Sequence, residues 1–77
     1  MTYGQIRETI RDVCSPKTVR EIKLANRELN KILGDLLFSI SKQEDAFSTI
    51  VWYEVKPSDE ELTCVIGYDF WNGRVVA

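Results

Sequence analysis

Leu62-Thr63-Cys64-Val65-Ile66-Gly67-Tyr68-Asp69-Phe70-Trp71-Asn72-Gly73 is the stretch on which the fold turns. In an extended chain Leu62, Cys64, Ile66, Tyr68 and Phe70 share one side, and Thr63, Val65, Gly67, Asp69 and Trp71 share the other. The first side is apolar, so the alternation predicts a strand over 62–71 with its Leu62 side turned to a core. Asn72 and Gly73 both tolerate positive φ and predict a tight hairpin. Only Arg74 to Ala77 then remain, enough for a short strand at an edge.

Upstream, Phe47 to Lys56 is rich in β-branched and aromatic residues and reads as a second long strand. Pro57-Ser58-Asp59-Glu60-Glu61 is the turn that makes the two strands antiparallel. Phe47, Val51, Tyr53 and Val55 alternate with Ile50, Trp52, Glu54 and Lys56. Ile50, Trp52, Val65 and Trp71 therefore gather on the face turned away from the helices, where no further element remains to cover them. Such an apolar patch with two tryptophans predicts a contact surface. A register slip of one residue would bury both indoles instead.

The first half of the chain reads as helix. Thr2 and Gln5 fit a capping box, and Tyr3, Ile6, Ile10 and Val13 form one apolar stripe that ends near Cys14, ahead of Pro16. Ser15-Pro16 is a helix start signal. From there Val19, Ile22, Asn26, Leu29, Leu33, Leu36 and Ile40 follow spacings of three and four, a heptad seam with one polar member. One helix from Pro16 to about Lys42 would be roughly 40 Å long. Gly34 costs about 1 kcal/mol in a helix interior and marks a bend or a close approach. Lys42 to Ala46 reads as a polar loop. The expected fold is α+β: two N-terminal helices on one face of a small antiparallel sheet of two long strands and a short C-terminal edge strand, in a single domain over 1–77.

Charge is sorted along the chain. Residues 1–42 carry eight Lys/Arg and five Asp/Glu, a balance of +3, and residues 43–77 carry two and seven, a balance of −5. The 77 residues include no histidine, which removes the commonest general base and metal ligand. Glu44-Asp45 and Glu60-Glu61 fall in turns without an apolar pocket to raise a carboxyl pKa. The four glycines are scattered, so no phosphate-cradling loop occurs. No catalytic, cofactor or metal site is expected. Cys14 and Cys64 occupy apolar-patterned positions and read as small buried thiols. No apolar run is long enough to span a membrane, and the N-terminus lacks a secretion pattern, so a cytoplasmic location is expected.

The stretch Arg27-Glu28-Leu29-Asn30-Lys31-Ile32-Leu33-Gly34-Asp35-Leu36 resembles the recognition helix of winged helix-turn-helix domains, most of all those that bind Z-form nucleic acid. Over residues 22–52 the likeness includes Ile22 and Leu24 before the helix and Trp52 at the place of the tryptophan in the β-hairpin wing. The resemblance implies a winged-helix-like fold, with Asn30 and Lys31 on backbone phosphates and Arg27 assisting.

The residues themselves favour a different reading: a non-catalytic protein-binding module, a small regulator or inhibitor. Trp52 and Trp71 are the expected anchors, with Ile50 and Val65 beside them. Asp59, Glu60, Glu61 and Asp69 would steer a partner with a basic surface. Nucleic-acid binding through Arg27, Asn30 and Lys31 is the alternative. A homodimer along the Val19–Ile40 seam or an open sheet edge is a further expectation, since a core this small supplies only about 3–5 kcal/mol.

Overall fold

A computed structural model describes residues 1–16 and 21–76. Helix α1 spans Tyr3–Cys14, helix α2 spans Ile22–Leu33, and a 3-10 turn, Gly34–Leu36, follows it. Four strands complete the chain: β1 (Leu37–Glu44), β2 (Thr49–Val55), β3 (Cys64–Asp69) and β4 (Arg74–Val76). They form one antiparallel meander in the order β1-β2-β3-β4.

Helix α1 forms as its local sequence dictates. The Thr2 hydroxyl accepts from the Gln5 N–H, and the Gln5 side chain accepts from the Thr2 N–H, so two orphan donors of the first turn are satisfied. Ile6, Ile10 and Cys14, four apart, are buried. Ser15, expected to open the second helix, instead closes the first: its N–H donates to the Arg11 carbonyl. Lys17 to Arg20, with the Val19 position of the heptad seam, lie outside the described residues.

Helix α2 buries Ala25, Leu29 and Leu33. It stops at Gly34, which adopts φ 52°, a conformation that L side chains rarely hold. The expected helix through Lys42 is thus corrected. Residues 37–44 are a strand, the sheet has four strands rather than three, and the expected loop shrinks to 45–48. The reason is geometric. Leu36 and Ile40 are four residues apart, a spacing that shares a face in a helix and, being even, also in a strand. Leu29 and Leu33 are buried within the single chain, so that part of the seam presents no dimer surface.

The helices cover one side of the sheet, with α1 against β3 and β4 and α2 against β1. Val51, Tyr53 and Val55 of β2 and Ile66 and Tyr68 of β3 point into this layer and are buried. Burying each large apolar side chain contributes about 1.5–3 kcal/mol. The buried hydroxyls have partners. Tyr53 Oη donates to Asn26 Oδ1 at 2.7 Å, and Tyr68 Oη lies 3.2 Å from Ser15 Oγ. Asn26, the one polar member of the seam, is therefore the acceptor that lets a tyrosine stand in the core.

Three expectations about individual side chains need correction. Leu62, placed inward by alternation, is 79% exposed, because β3 begins only at Cys64. Phe47 precedes β2 and is 82% exposed in the β1–β2 turn. Phe70 lies beyond β3 and is half-buried edge-on to Tyr68, with ring centres 4.9 Å apart. Of the thiols, Cys14 is buried and Cys64 half-buried, and both are free.

Candidate functional site: the open face of the sheet

The side of the sheet away from the helices has no covering element among the described residues. Register pairs place its side chains in cross-strand rows. One row runs Ser41, Trp52, Gly67, Val76; the next runs Gln43, Ile50, Asp69, Arg74; and Ser39, Glu54 and Val65 make a third. Ile50, Trp52, Val65 and Asp69 are thus brought onto one face.

Trp52 is the centre of that face. Its indole lies across Gly67: a Cβ built on that glycine would stand 2.6 Å from Trp52 Cζ3 and 2.9 Å from Val76 Cγ2. Only a residue without a side chain lets the ring come this close. At its other end the indole Nε1–H donates to Gln43 Oε1 at 3.1 Å. The ring is therefore held across three strands, from β1 to β3, and is half-buried. Glu54, two residues on, accepts from Ser39 Oγ at 2.9 Å and from Thr63 Oγ1 at 2.8 Å. Those bonds, Thr63 first, hold its carboxyl below the ordinary range.

Asp69 is not a free surface charge. It is 3% exposed, and its carboxylate accepts from the N–H groups of Trp71 and Asn72 and from the Asn72 side chain. The Asn72 amide above all, with the two backbone donors, holds its carboxyl low against the opposing cost of burial. Asp69 shapes the β3–β4 turn, in which Gly73 takes φ 69°. That turn presents Trp71, 61% exposed. The β1–β2 turn ends alongside, since the Phe70 N–H donates to the Thr49 carbonyl. Two exposed aromatics, Phe47 and Trp71, therefore occupy one end of the sheet, and Phe47 was not expected there. The signal for it was its place in a connection rather than a strand.

Asp59, Glu60 and Glu61 sit at the opposite end, in the β2–β3 connection, because successive connections of a meander alternate ends. Asp59 accepts from the Tyr3 N–H at 2.8 Å and so pins the start of α1. The Glu60 carbonyl accepts from the Lys56 ammonium. The structure does not bring this acidic trio together with Trp71.

On the helical side Arg27, Asn30 and Lys31 are all exposed on α2. Asn30 Nδ2 donates back to the Asn26 carbonyl. Arg27 and Lys31 border a groove of about 390 Å³ with Leu24 and Glu28, closed on the other side by Asp12, Val13 and Pro16. Two acidic and two basic side chains on one groove leave little net field.

Among the described residues no three His, Cys, Asp or Glu side chains are placed to hold a metal ion, and no helix is long and apolar enough to cross a membrane. Fold and site define a two-layer α+β domain with one sheet face left bare by the described residues. No family model matches this chain, and neither a curated protein nor a solved structure does so.

Proposed function

We propose that this protein is a non-catalytic protein-binding module, a small regulator or inhibitor that docks another protein on the open sheet face and the aromatic end beside it. One observation carries the reading: Trp52, Ile50, Val65 and Val76 lie on a face that nothing else covers among the described residues, in the half of the chain whose charge is −5 (two Lys/Arg against seven Asp/Glu over 43–77). Aromatic anchors surrounded by polar side chains are what binding hot spots consist of. The acidic half supports a partner with a basic surface, and the field acts mainly on the rate of encounter. Asp59, Glu60 and Glu61 contribute to that field from the far end rather than to the contact itself.

The test uses the intact chain as bait against extract of its source cell. Wild type and Trp71→Ala are compared at equal loading, and the retained species is identified. The expected result is a specific protein held by wild type and lost with Trp71→Ala, at nearly equal thermal midpoints. Equal capture by both baits sinks the reading.

Nucleic-acid binding through Arg27, Asn30 and Lys31, with a winged-helix-like use of α2, is the second reading, supported by the exposure of all three side chains on one helix. Phosphate contacts make affinity fall steeply with salt. A titration of duplex DNA and RNA at low and moderate salt separates the two: no binding at low salt removes this alternative.

A further inference from the structure

From the geometry around Trp52 we infer that the open face is a receptor for an arginine side chain of the partner, with the guanidinium stacked on the Trp52 indole and paired to the Glu54 carboxylate. This inference rests on the protein-binding reading and names the chemistry of its contact.

The indole is built as a platform. Gly67 removes the side chain that would lift the ring, and the Nε1–H bond to Gln43 fixes its rotation. The Cε3–Cζ3 edge of the ring rests over Gly67, and the half-buried indole stands on the uncovered side of the sheet. A flat, prepaid aromatic surface binds by stacking with little ordering cost, and a cation within about 6 Å of the ring centre is attracted to its π face.

Glu54 supplies the second half. It stands two residues from Trp52 along β2, so both project from the same face with Cα atoms roughly 7 Å apart. Its present partners, Ser39 Oγ on Oε1 and Thr63 Oγ1 on Oε2, are neutral hydroxyls. Each carboxylate oxygen has two acceptor sites, so each keeps one free. Among the described residues no Lys or Arg forms an ion pair with it. Lys56, two residues on from Glu54, turns its ammonium to the Pro57 and Glu60 carbonyls, and Arg74 stands opposite Asp69, two rows away. An ionised carboxylate oriented by two hydroxyls and, among the described residues, without a paired cation, beside a fixed indole, matches the guanidinium in both respects. That group is planar enough to stack and carries a fork of donors for the carboxylate. An ammonium fits less well, because it cannot stack flat. A nucleobase could stack, but its phosphates would meet Glu54 and the acidic sheet half.

The experiment is an NMR titration of the intact protein with capped Gly-Arg-Gly peptide and with its lysine and citrulline counterparts. Citrulline keeps the shape and removes the charge. The Trp52 indole N–H and the Gly67 amide report on the platform, and the peptide's δ-methylene protons report stacking by moving upfield. The expected result is movement of all three signals with the arginine peptide. The citrulline peptide and Glu54→Gln should each weaken binding about tenfold, the scale of one charge-assisted pair. Glu54→Gln keeps one acceptor oxygen and turns the other position into an amide donor, to which a neighbouring hydroxyl can rotate to accept, and unchanged amide dispersion verifies the fold.

Silence at Trp52 with the arginine peptide overturns the inference. Equal binding of arginine and citrulline peptides does so too, as does indifference to Glu54→Gln. A parallel titration with adenosine and uridine monophosphates that moves the indole more than the arginine peptide does would assign the platform to a base and overturn it as well. If any of these occurs while capture remains sensitive to Trp71→Ala, the arginine inference alone has failed. If capture is equal for both baits, the reading beneath it has failed.

Discussion

The two sides of strand β2 receive alternate residues of one short sequence and hold them in opposite ways. Val51, Tyr53 and Val55 face the helices and are fully buried, while Ile50, Trp52 and Glu54 face the other way and are only half-buried. The polar atoms differ as well. Tyr53 is bonded across the core to α2, so its hydroxyl ties two layers together. Trp52 and Glu54 bond to Gln43, Ser39 and Thr63, neighbours within their own sheet. One side uses hydrogen bonds to join layers. The other uses them to hold side chains in place on a surface that nothing else covers among the described residues. On the proposed reading stability and recognition fall to opposite faces, and substitutions should separate them.

The largest effect belongs to the covered face. Leu29→Ala removes a fully buried side chain that packs between α2 and the sheet, and should cost about 3 kcal/mol, within the usual range for such truncations. A core of this size supplies roughly 3–5 kcal/mol, so the variant should keep only about 0–2 kcal/mol and begin to unfold at the lowest urea concentrations. A loss below about 1 kcal/mol would break the contrast between the faces.

Gly67→Ala should come next, although it touches the open face. Its new Cβ would meet Trp52 Cζ3 at 2.6 Å and Cε3 at 2.7 Å, so the indole must lift or the strands must part. Overpacking of this kind costs about 1–3 kcal/mol. Trp52→Leu in the same chain should recover part of it, and a double-mutant cycle would show the coupling as non-additivity. Tyr53→Phe should cost about 1–2 kcal/mol by leaving the half-buried Asn26 Oδ1 without its donor.

How far all this was legible in the sequence depends on which interactions are local. The α1 capping box, the stripe Ile6-Ile10 and the inward set Val51, Tyr53, Val55, Ile66 and Tyr68 follow from spacing alone, and the structure holds them as read. The segment after Gly34 was not legible by spacing, because Leu33, Leu36 and Ile40 fit a helical seam while Ile40 among Ser39, Ser41 and Gln43 fits a strand. The glycine was the deciding residue, through a positive φ that no periodicity reveals. Gly67 carried a similar signal, since a glycine inside a strand marks a close approach. Asp69 fell on the expected face, yet its carboxylate serves the turn, and that followed from its place four residues before Gly73 rather than from alternation. Separation of Asp59–Glu61 from Trp71 is topological and became visible only with the meander.

Alkaline pH should weaken the covered face selectively. Burial, above all, raises the Cys14 thiol to about 11 from 9.0, while its contact with Tyr53 Oη opposes the shift slightly. Burial likewise raises the Tyr53 hydroxyl. A folded-state pKa above the unfolded value means that the stabilisation is complete below the unfolded pKa and fades as pH climbs through the folded one. The urea midpoint should therefore hold steady up to about pH 9 and decline toward 11. Cys14→Ala should flatten that decline, and an equal slope in both proteins would assign it elsewhere. Under native conditions a disulfide reagent such as dithiobis(nitrobenzoate) should react with half-buried Cys64 well before Cys14, because a protonated, buried thiol is a poor nucleophile.

The smallest effect on stability should come from Trp71→Ala, and its smallness is the sharpest statement of the contrast. The indole is 61% exposed in a turn whose shape is set by others: Asp69 collects the backbone donors, and Gly73 supplies the positive φ. Only the N–H of Trp71 takes part in that network, and alanine keeps it. Exposed side chains away from such features change stability by about 0.5 kcal/mol or less. A thermal midpoint within experimental error of wild type is therefore expected, and a drop comparable to that of Tyr53→Phe would mean that the ring packs on the chain itself. Large aromatic surface that adds nothing to folding is surface available to a partner. Loss of capture at constant stability would locate recognition at this turn and the face beside it, just as collapse of Leu29→Ala would locate folding beneath the helices.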